Sequence, residues 1–158
     1  MCIRDRVTTS DAGAGIGYTG IRIRGVNSQS TNVTINGIPY NDAESLGTFW
    51  VDLPDFSSSI ENLQVQRGIG TSVNGSSAFG ASINILTDKI SQNPYFESAN
   101  TIGSFNTVKN NFRFSTGLLN ETLEFSGRLS KIDSDGYIDR ASSDLKSVSY
   151  THLRAHET

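Results

Sequence analysis

Two stretches in the second half of the chain alternate apolar and polar side chains with a period of two residues. They are residues 107–116 and 123–130, with Asn110 as one exception on the apolar face. The large side chains of the apolar face are Phe112, Phe114, Phe125 and Leu129. The charged side chains of the opposite face are Lys109, Arg113, Glu124 and Arg128. This period is that of a β-strand with two different faces, and not that of a helix.

The connections around these strands leave two classes of sheet open. Residues 117–121 join the two strands, and residues 95–103 predict a less regular strand before them. Strands of about ten residues with one apolar and one charged face, joined by short turns, are typical of a transmembrane β-barrel. A soluble antiparallel sheet with one wet face gives the same alternation. Because no segment approaches the roughly 18 consecutive apolar residues of a membrane helix, any membrane role must come through strands.

Both ends of the chain look artificial. Residues 1–6, MCIRDR, are the translation of ATG TGT ATA AGA GAC AG, which resembles a transposase end used to build sequencing libraries. Residues 148–158 match the complementary strand, continued into adapter sequence. We therefore interpret both ends as adapter-like artefacts, exclude them from fold reasoning and expect them to pack against nothing.

Excluding the ends removes the residues that most often carry metal or thiol chemistry. The only methionine and cysteine and both histidines lie there, so the remaining sequence offers no Cys or His metal site and no disulfide. The chain has 13 Lys and Arg against 16 Asp and Glu, whereas nucleic-acid binding would require a basic face. No nucleophile–base pair or clustered acid pair stands out. We expect no enzymatic activity, no cofactor, no metal and no nucleic-acid partner.

The first half of the chain predicts a small α+β unit. Asn36 and Gly37 lie between short apolar strands and supply the positive φ angles of a type I′ hairpin turn. Residues 72–79 have room for a turn or two of helix in a glycine-rich stretch. We expect sheet pairing among the strands near four apolar residues, Ile23, Ile35, Val65 and Ile85.

Two short glycine motifs have simpler explanations than ligand binding. Gly15, Gly17 and Gly20 form a GxGxxG, but a strand follows where dinucleotide binding needs a helix. Residues 133–136, DSDG, resemble part of a calcium loop, but the glycine comes too early for an EF-hand. We interpret the first as a loop and the second as an exposed turn between strands.

Three motifs follow one another along the chain: IRIRG (21–25), VTINGIPYND (33–42) and IENLQVQRGIGTSVNGSSAFGASINILT (60–87). Their order resembles that of plug domains of TonB-dependent receptors. The chain departs from the family pattern at Asn36, where Asp is commoner, and at Gln66. It resembles an α+β plug domain, a small mixed sheet with short helices, followed by the first antiparallel strands of an incomplete transmembrane β-barrel. The corresponding boundaries are 7–89 for the N-terminally truncated plug and 90–147 for the C-terminally truncated barrel.

The resemblance implies an importer in the outer membrane of a Gram-negative bacterium. In that family a plug sits inside a barrel of about 22 strands, binds a scarce extracellular ligand, and is opened by TonB through a Ton box that is expected before residue 7. The expected ligand is a ferric siderophore, and vitamins, other chelates and oligosaccharides are alternatives. One alternative is a SusC-type glycan importer, which usually has Lys-Asp and Ile-Tyr-Gly where this chain has Arg67-Gly68 and residues 77–80, SAFG. The competing class is a soluble secreted β-rich binding module.

The resemblance also implies roles for individual residues. Arg24 and Arg67 are expected to form ionic contacts between the plug and acidic residues of the barrel wall. A plug loop that can face the ligand is expected to contain or adjoin Tyr40, Asn41, Phe49 and Trp50. The alternative for Phe49 and Trp50 is that they only anchor this loop. The charged face of the barrel strands is expected to line the lumen, and the apolar face to contact membrane lipid.

Overall fold

The computed structural model describes residues 6–10, 17–68, 79–87, 90–120 and 122–154. The chain divides into two compact units, Met1–Asp88 and Lys89–Thr158. In the described residues no helix is both long enough and apolar enough to cross a membrane. The helices there are 3₁₀ turns of three or four residues, at Ser28–Ser30, Trp50–Asp52 and Phe56–Ser59.

A four-stranded mixed sheet is the centre of the first unit. Its strands are β3 (Thr31–Ile35), β4 (Ile38–Pro39), β5 (Ile60–Arg67) and β6 (Ala81–Thr87), in the order β4-β3-β6-β5. β3 and β6 run parallel, and the two outer pairs are antiparallel. Central strands bury side chains on both faces, and the core consists of Ile23, Val33, Ala81, Ile83 and Ile85. The predicted small mixed sheet with short helices is confirmed.

The β3–β4 connection is the predicted hairpin. Asn36 and Gly37 have φ of +51° and +80°, so both central residues are left-handed, as a type I′ turn requires. The Asn36 side chain also reaches the end of β6: its Nδ2 donates to Thr87 Oγ1 at 2.8 Å, and its Oδ1 accepts from Thr87 N at 2.9 Å. Asn36 therefore both supplies the turn conformation and attaches the turn to the sheet by hydrogen bonds.

Ile23 lies in the core but its strand does not join the central sheet. β2 (Thr19–Ile23) pairs antiparallel with β1 (Arg6–Ser10) in a separate two-stranded ribbon. The prediction that this strand pairs with those near Ile35, Val65 and Ile85 is wrong, because the chain turns sharply after Ile23 and β6 already has β3 and β5 as neighbours. The other three strands do share one sheet. Most of the predicted helical turn, residues 72–78, lies outside the described residues.

The second unit is a four-stranded antiparallel meander. Its strands are β7 (Tyr95–Ile102), β8 (Val108–Ser115), β9 (Leu123–Ser134) and β10 (Ser143–Arg154), each paired with the next in sequence. The register places Phe112 opposite Leu129 and Phe114 opposite Gly127 on one face. The predicted strands at 95–103, 107–116 and 123–130 are confirmed as elements of one antiparallel sheet.

The strand β10 continues beyond residue 147. Val148–Arg154 pairs with β9 residue by residue, so the expectation that this end packs against nothing is wrong for the backbone. An edge strand presents unpaired N–H and C=O groups that any extended sequence can match. The side chains of Val148 and Tyr150 contribute little packing, since they are 73% and 79% exposed.

Substitutions at Asn36 test why this turn residue is needed. Asn36→Ala removes both bonds to Thr87 and leaves alanine, which tolerates a left-handed backbone less well than asparagine, at positive φ. We therefore expect the free energy of unfolding to fall by about 1–3 kcal/mol. Asn36→Gly also removes the bonds but adopts positive φ without strain, so its stability should fall less. Asn36→Asp keeps the acceptor for Thr87 N, so its stability should fall least. Urea unfolding of the chain, followed by fluorescence of Trp50, the only tryptophan, measures this order. Equal midpoints for all four proteins would contradict it.

Candidate functional site

Arg24 lies in a tight turn that holds it in a left-handed conformation. Its φ is +52°, that of Gly25 is +77°, and Val26 N donates to Ile23 O at 3.0 Å across the turn. A left-handed backbone costs an ordinary side chain about 1 kcal/mol. Such outliers concentrate at functional positions, so the turn marks Arg24 as a candidate residue. Its side chain is exposed.

Arg67 ends β5 beside the Arg24 turn. Nη1 of Arg24 lies 3.8 Å from the position that a Cβ on Gly68 would occupy. Gly68 N donates to Gly80 O at 2.9 Å, which closes the end of the β5–β6 pair. The structure thus brings together two Arg-Gly pairs, Arg24-Gly25 and Arg67-Gly68, that are distant in sequence.

Gly80 belongs to the same end of the unit and was not predicted as a site residue. Its N donates to Ser30 O at 2.9 Å, and an added Cβ would lie 2.7 Å from that oxygen and 2.9 Å from Val26 Cγ1. Only a glycine therefore allows this approach. Its place in a glycine-rich stretch was the one available sequence signal, and it did not distinguish Gly80 from its neighbours.

The Asn41 side chain clamps the loop that follows the hairpin. Its Oδ1 accepts from Val33 N at 2.7 Å, and its Nδ2 donates to Thr31 O and to Leu46 O, both at 2.9 Å. The amide therefore bonds to β3 in the way a neighbouring strand would, and its bonding capacity is used within the protein. Thr31, whose Oγ1 is buried and has no hydrogen-bond partner, is held through its backbone.

The other three predicted loop residues differ in exposure. Tyr40 and Trp50 are half-buried and pack against the core, whereas Phe49 is 47% exposed. Burial, with the negative charge of Asp52 as a second cause, raises the pKa of the Tyr40 hydroxyl above its ordinary value. Of the four residues, Phe49 presents the most accessible surface for a ligand.

The loop itself is ordered by a closed turn. Ser45 N donates to Asp42 Oδ2 at 2.7 Å, while Leu46 N donates to Asp42 O and Asp42 N donates to Gly47 O. The hydrogen bond from Ser45 N lowers the pKa of the Asp42 carboxyl. These bonds fix the start of the loop, residues 42–47.

A cleft of about 400 Å³ opens in the first unit between the β1–β2 ribbon and the sheet. Its lining is hydrophobic apart from one hydroxyl: Thr8, Ile21, Ile23, Trp50, Ile60, Leu63, Val65, Ile83 and Ile85. Such a surface offers no charged group to a polar or charged ligand. We therefore do not place ligand binding in this cleft.

The β7–β10 sheet buries its polar face and exposes its apolar face. Glu124 and Arg128 are 2% and 4% exposed. On the opposite face the large side chains are between 40% and 71% exposed: Phe96, Phe112, Phe114, Phe125 and Leu129. Lys109 and Arg113, on the same charged face, are half-buried. Arg128 is held by a hydrogen bond from its Nη2 to Ser147 Oγ at 3.2 Å.

Comparison with known proteins gives a family match for the first unit. The model of the family described as TonB-dependent Receptor Plug Domain matches residues 6–82. The vitamin B12 transporter BtuB of Vibrio vulnificus (strain YJ016) is 32% identical over 118 residues, which cover 74% of this chain. The chain spans only 19% of the length of that transporter.

Solved structures show the same fold over both units. The unliganded ferric citrate transporter FecA matches with a TM-score of 0.71 and 17% identity, over 96% of this chain and 24% of its own. The ferric yersiniabactin uptake receptor FyuA of Yersinia pestis matches with a TM-score of 0.62 and 19% identity, over 94% and 23%. At such identities the likeness concerns the fold, which confirms the predicted α+β plug followed by the first strands of a barrel.

Substitution of Asn41 separates a structural role from a ligand-binding role. Asn41→Ala removes the side-chain partner of the Val33 N–H and of the Thr31 and Leu46 carbonyls. We therefore expect the free energy of unfolding to fall by about 2–4 kcal/mol. Phe49→Ala, in the same loop, should cost less than 1 kcal/mol because its ring is half exposed. Urea unfolding followed by Trp50 fluorescence measures both. A smaller loss for Asn41→Ala than for Phe49→Ala would contradict the clamp.

Proposed function

This chain belongs to the TonB-dependent receptor family, and we propose that the full-length protein imports a scarce extracellular ligand across the outer membrane of a Gram-negative bacterium. In this proposal the ligand binds on the outer side of the plug, and TonB supplies the energy that opens a path to the periplasm. The family match, the BtuB relative and the fold of the solved receptors support it.

The observation that most supports the proposal is that the β7–β10 sheet buries its polar face and exposes its apolar face. Full burial of one large apolar side chain is worth about 1.5–3 kcal/mol, and here five such side chains lie exposed on one face. In a soluble sheet the phenylalanines would be buried, and the buried Glu124 and Arg128 would face water. Lipid on the apolar side and a polar interior on the other account for both faces. This favours a membrane wall over a soluble binding module.

The location of the two arginines supports a plug seated against a barrel wall. We propose that Arg24 and Arg67 form ionic contacts with acidic residues of the wall. The proximity of Arg24 to Gly68, the residue after Arg67, supports this proposal, because guanidinium groups pair well with carboxylates. We further propose residues 7–89 as the plug, 90–147 as the start of the barrel, and 1–6 and 148–158 as sequence foreign to the natural protein.

For the ligand we propose a ferric siderophore. The solved relatives are named as receptors for ferric citrate and ferric yersiniabactin. The exposed ring of Phe49 offers an apolar contact, and ring stacking suits aromatic chelators. A SusC-type glycan importer is less consistent with Arg67-Gly68 and residues 77–80, SAFG.

Transport assays of the full-length protein test this function. We expect the protein to fractionate with the outer membrane and to confer uptake of radioactive iron supplied as ferric citrate or ferric yersiniabactin, with labelled vitamin B12 as a parallel arm. Uptake should fall to the level of cells without the protein when TonB is deleted or the proton gradient is collapsed. Recovery in the soluble periplasmic fraction, or uptake unchanged by both treatments, would contradict the proposal.

A further inference from the structure

Glu124 is a buried carboxylate whose two oxygens are both bonded within the protein. It is 2% exposed. Its Oε1 accepts from Ser115 Oγ at 2.5 Å, and its Oε2 accepts from Ser91 N at 3.0 Å. A buried carboxylate is costly unless such bonds compensate for lost water. The bond to Ser91 connects β9 to the segment that precedes β7, so this carboxylate joins two parts of the chain.

Gly117 shows independently that the segment before β7 lies against the β8–β9 connection. A Cβ added to Gly117 would lie 2.7 Å from Pro94 N and 2.8 Å from the carbonyl carbon of Asn93. Its φ is +65°, which glycine tolerates best. Gly117 N also donates to Ser115 Oγ at 3.0 Å, the same hydroxyl that binds Glu124. One hydrogen-bond network therefore holds both the segment before β7 and the β8–β9 connection.

We propose that Glu124 is a positioning residue that, together with Gly117, anchors residues 91–94 to the β8–β9 end of the barrel wall. The anchor rests on the proposed function in one respect. If the full-length protein is a transporter, any movement of the plug must be taken up by the chain N-terminal to Ser91. Residues 91–94 belong to the fixed wall, and a pull on the plug is resisted at Ser91. Glu124 acts through its carboxylate bonds to the backbone and does not contact the transported ligand.

Hydrogen–deuterium exchange of the full-length protein in outer-membrane vesicles tests the anchor. Glu124→Ala should speed exchange in residues 90–94 by about tenfold or more, because the Ser91 N–H loses a charged acceptor. Glu124→Gln should have a smaller effect, since its amide oxygen still accepts from Ser91 N. Exchange within residues 108–112, away from the Ser115 end of β8, should remain unchanged, which separates a local anchor from general loosening of the sheet.

Two further variants keep the test decisive. Glu97→Gln, on β7, removes an exposed carboxylate paired with Arg113 at 3.9 Å and should leave exchange in residues 90–94 unchanged. Gly117→Ala keeps the Glu124 carboxylate but forces residues 92–94 away, and it should also speed their exchange. If Glu124→Ala prevents assembly, the exchange measured in Gly117→Ala tests the anchor instead.

The anchor and the transport function fail separately. Unchanged exchange at residues 90–94 in Glu124→Ala, or in Gly117→Ala where the first variant does not assemble, would overturn the anchor and leave TonB-dependent uptake intact. Uptake that is independent of TonB would overturn the transport function and leave the exchange result unaffected.

Discussion

The second half of the structure depends on the opposite polarity of the two faces of the β7–β10 sheet. The sheet buries Glu124 and Arg128 on one face and exposes a row of phenylalanines on the other, and in our proposal lipid covers the apolar face while polar groups cover the opposite one. This constraint accounts for the alternation in sequence, for the register that places Phe112 opposite Leu129, and for the internal bonds of the buried carboxylate.

Two side-chain amides of the first unit satisfy backbone groups of its sheet. Asn36 bonds to the end of β6, and Asn41 bonds along β3 where a further strand would pair. Both residues lie in a motif shared with the family, and both stabilise loop positions instead of offering groups to a ligand. The loop is therefore held in place near the hairpin, while the ring of Phe49 in the same loop stays exposed. A rigid loop suits recognition, because little ordering entropy is lost on binding.

The parts of the fold that could be predicted are those set by local pattern. The period of two fixes which side chains share a face in β8 and β9, and Asn36-Gly37 specifies its own turn. The placement of β2 could not be read from sequence, because Ile21 and Ile23 have the same pattern whether their strand joins the sheet or a separate ribbon. The clamp at Asn41 and the bonds of Glu124 also escaped prediction, since each depends on how the chain folds back and not on a local pattern. The depth at which Glu124 and Arg128 are buried could not be predicted either, because alternation identifies a face but not what covers it.

A spin-label scan along β8 of the full-length protein in outer-membrane vesicles tests the two-faced wall most directly. Labels at Phe112, Arg113 and Phe114 are compared for relaxation by oxygen, which concentrates in lipid, and by a water-soluble nickel chelate. The account predicts high oxygen accessibility at Phe112 and Phe114, low oxygen accessibility at Arg113, and little access of the nickel chelate to the two phenylalanine positions. Strong relaxation by the nickel chelate at Phe112 and Phe114, or the absence of any alternation, would contradict the account.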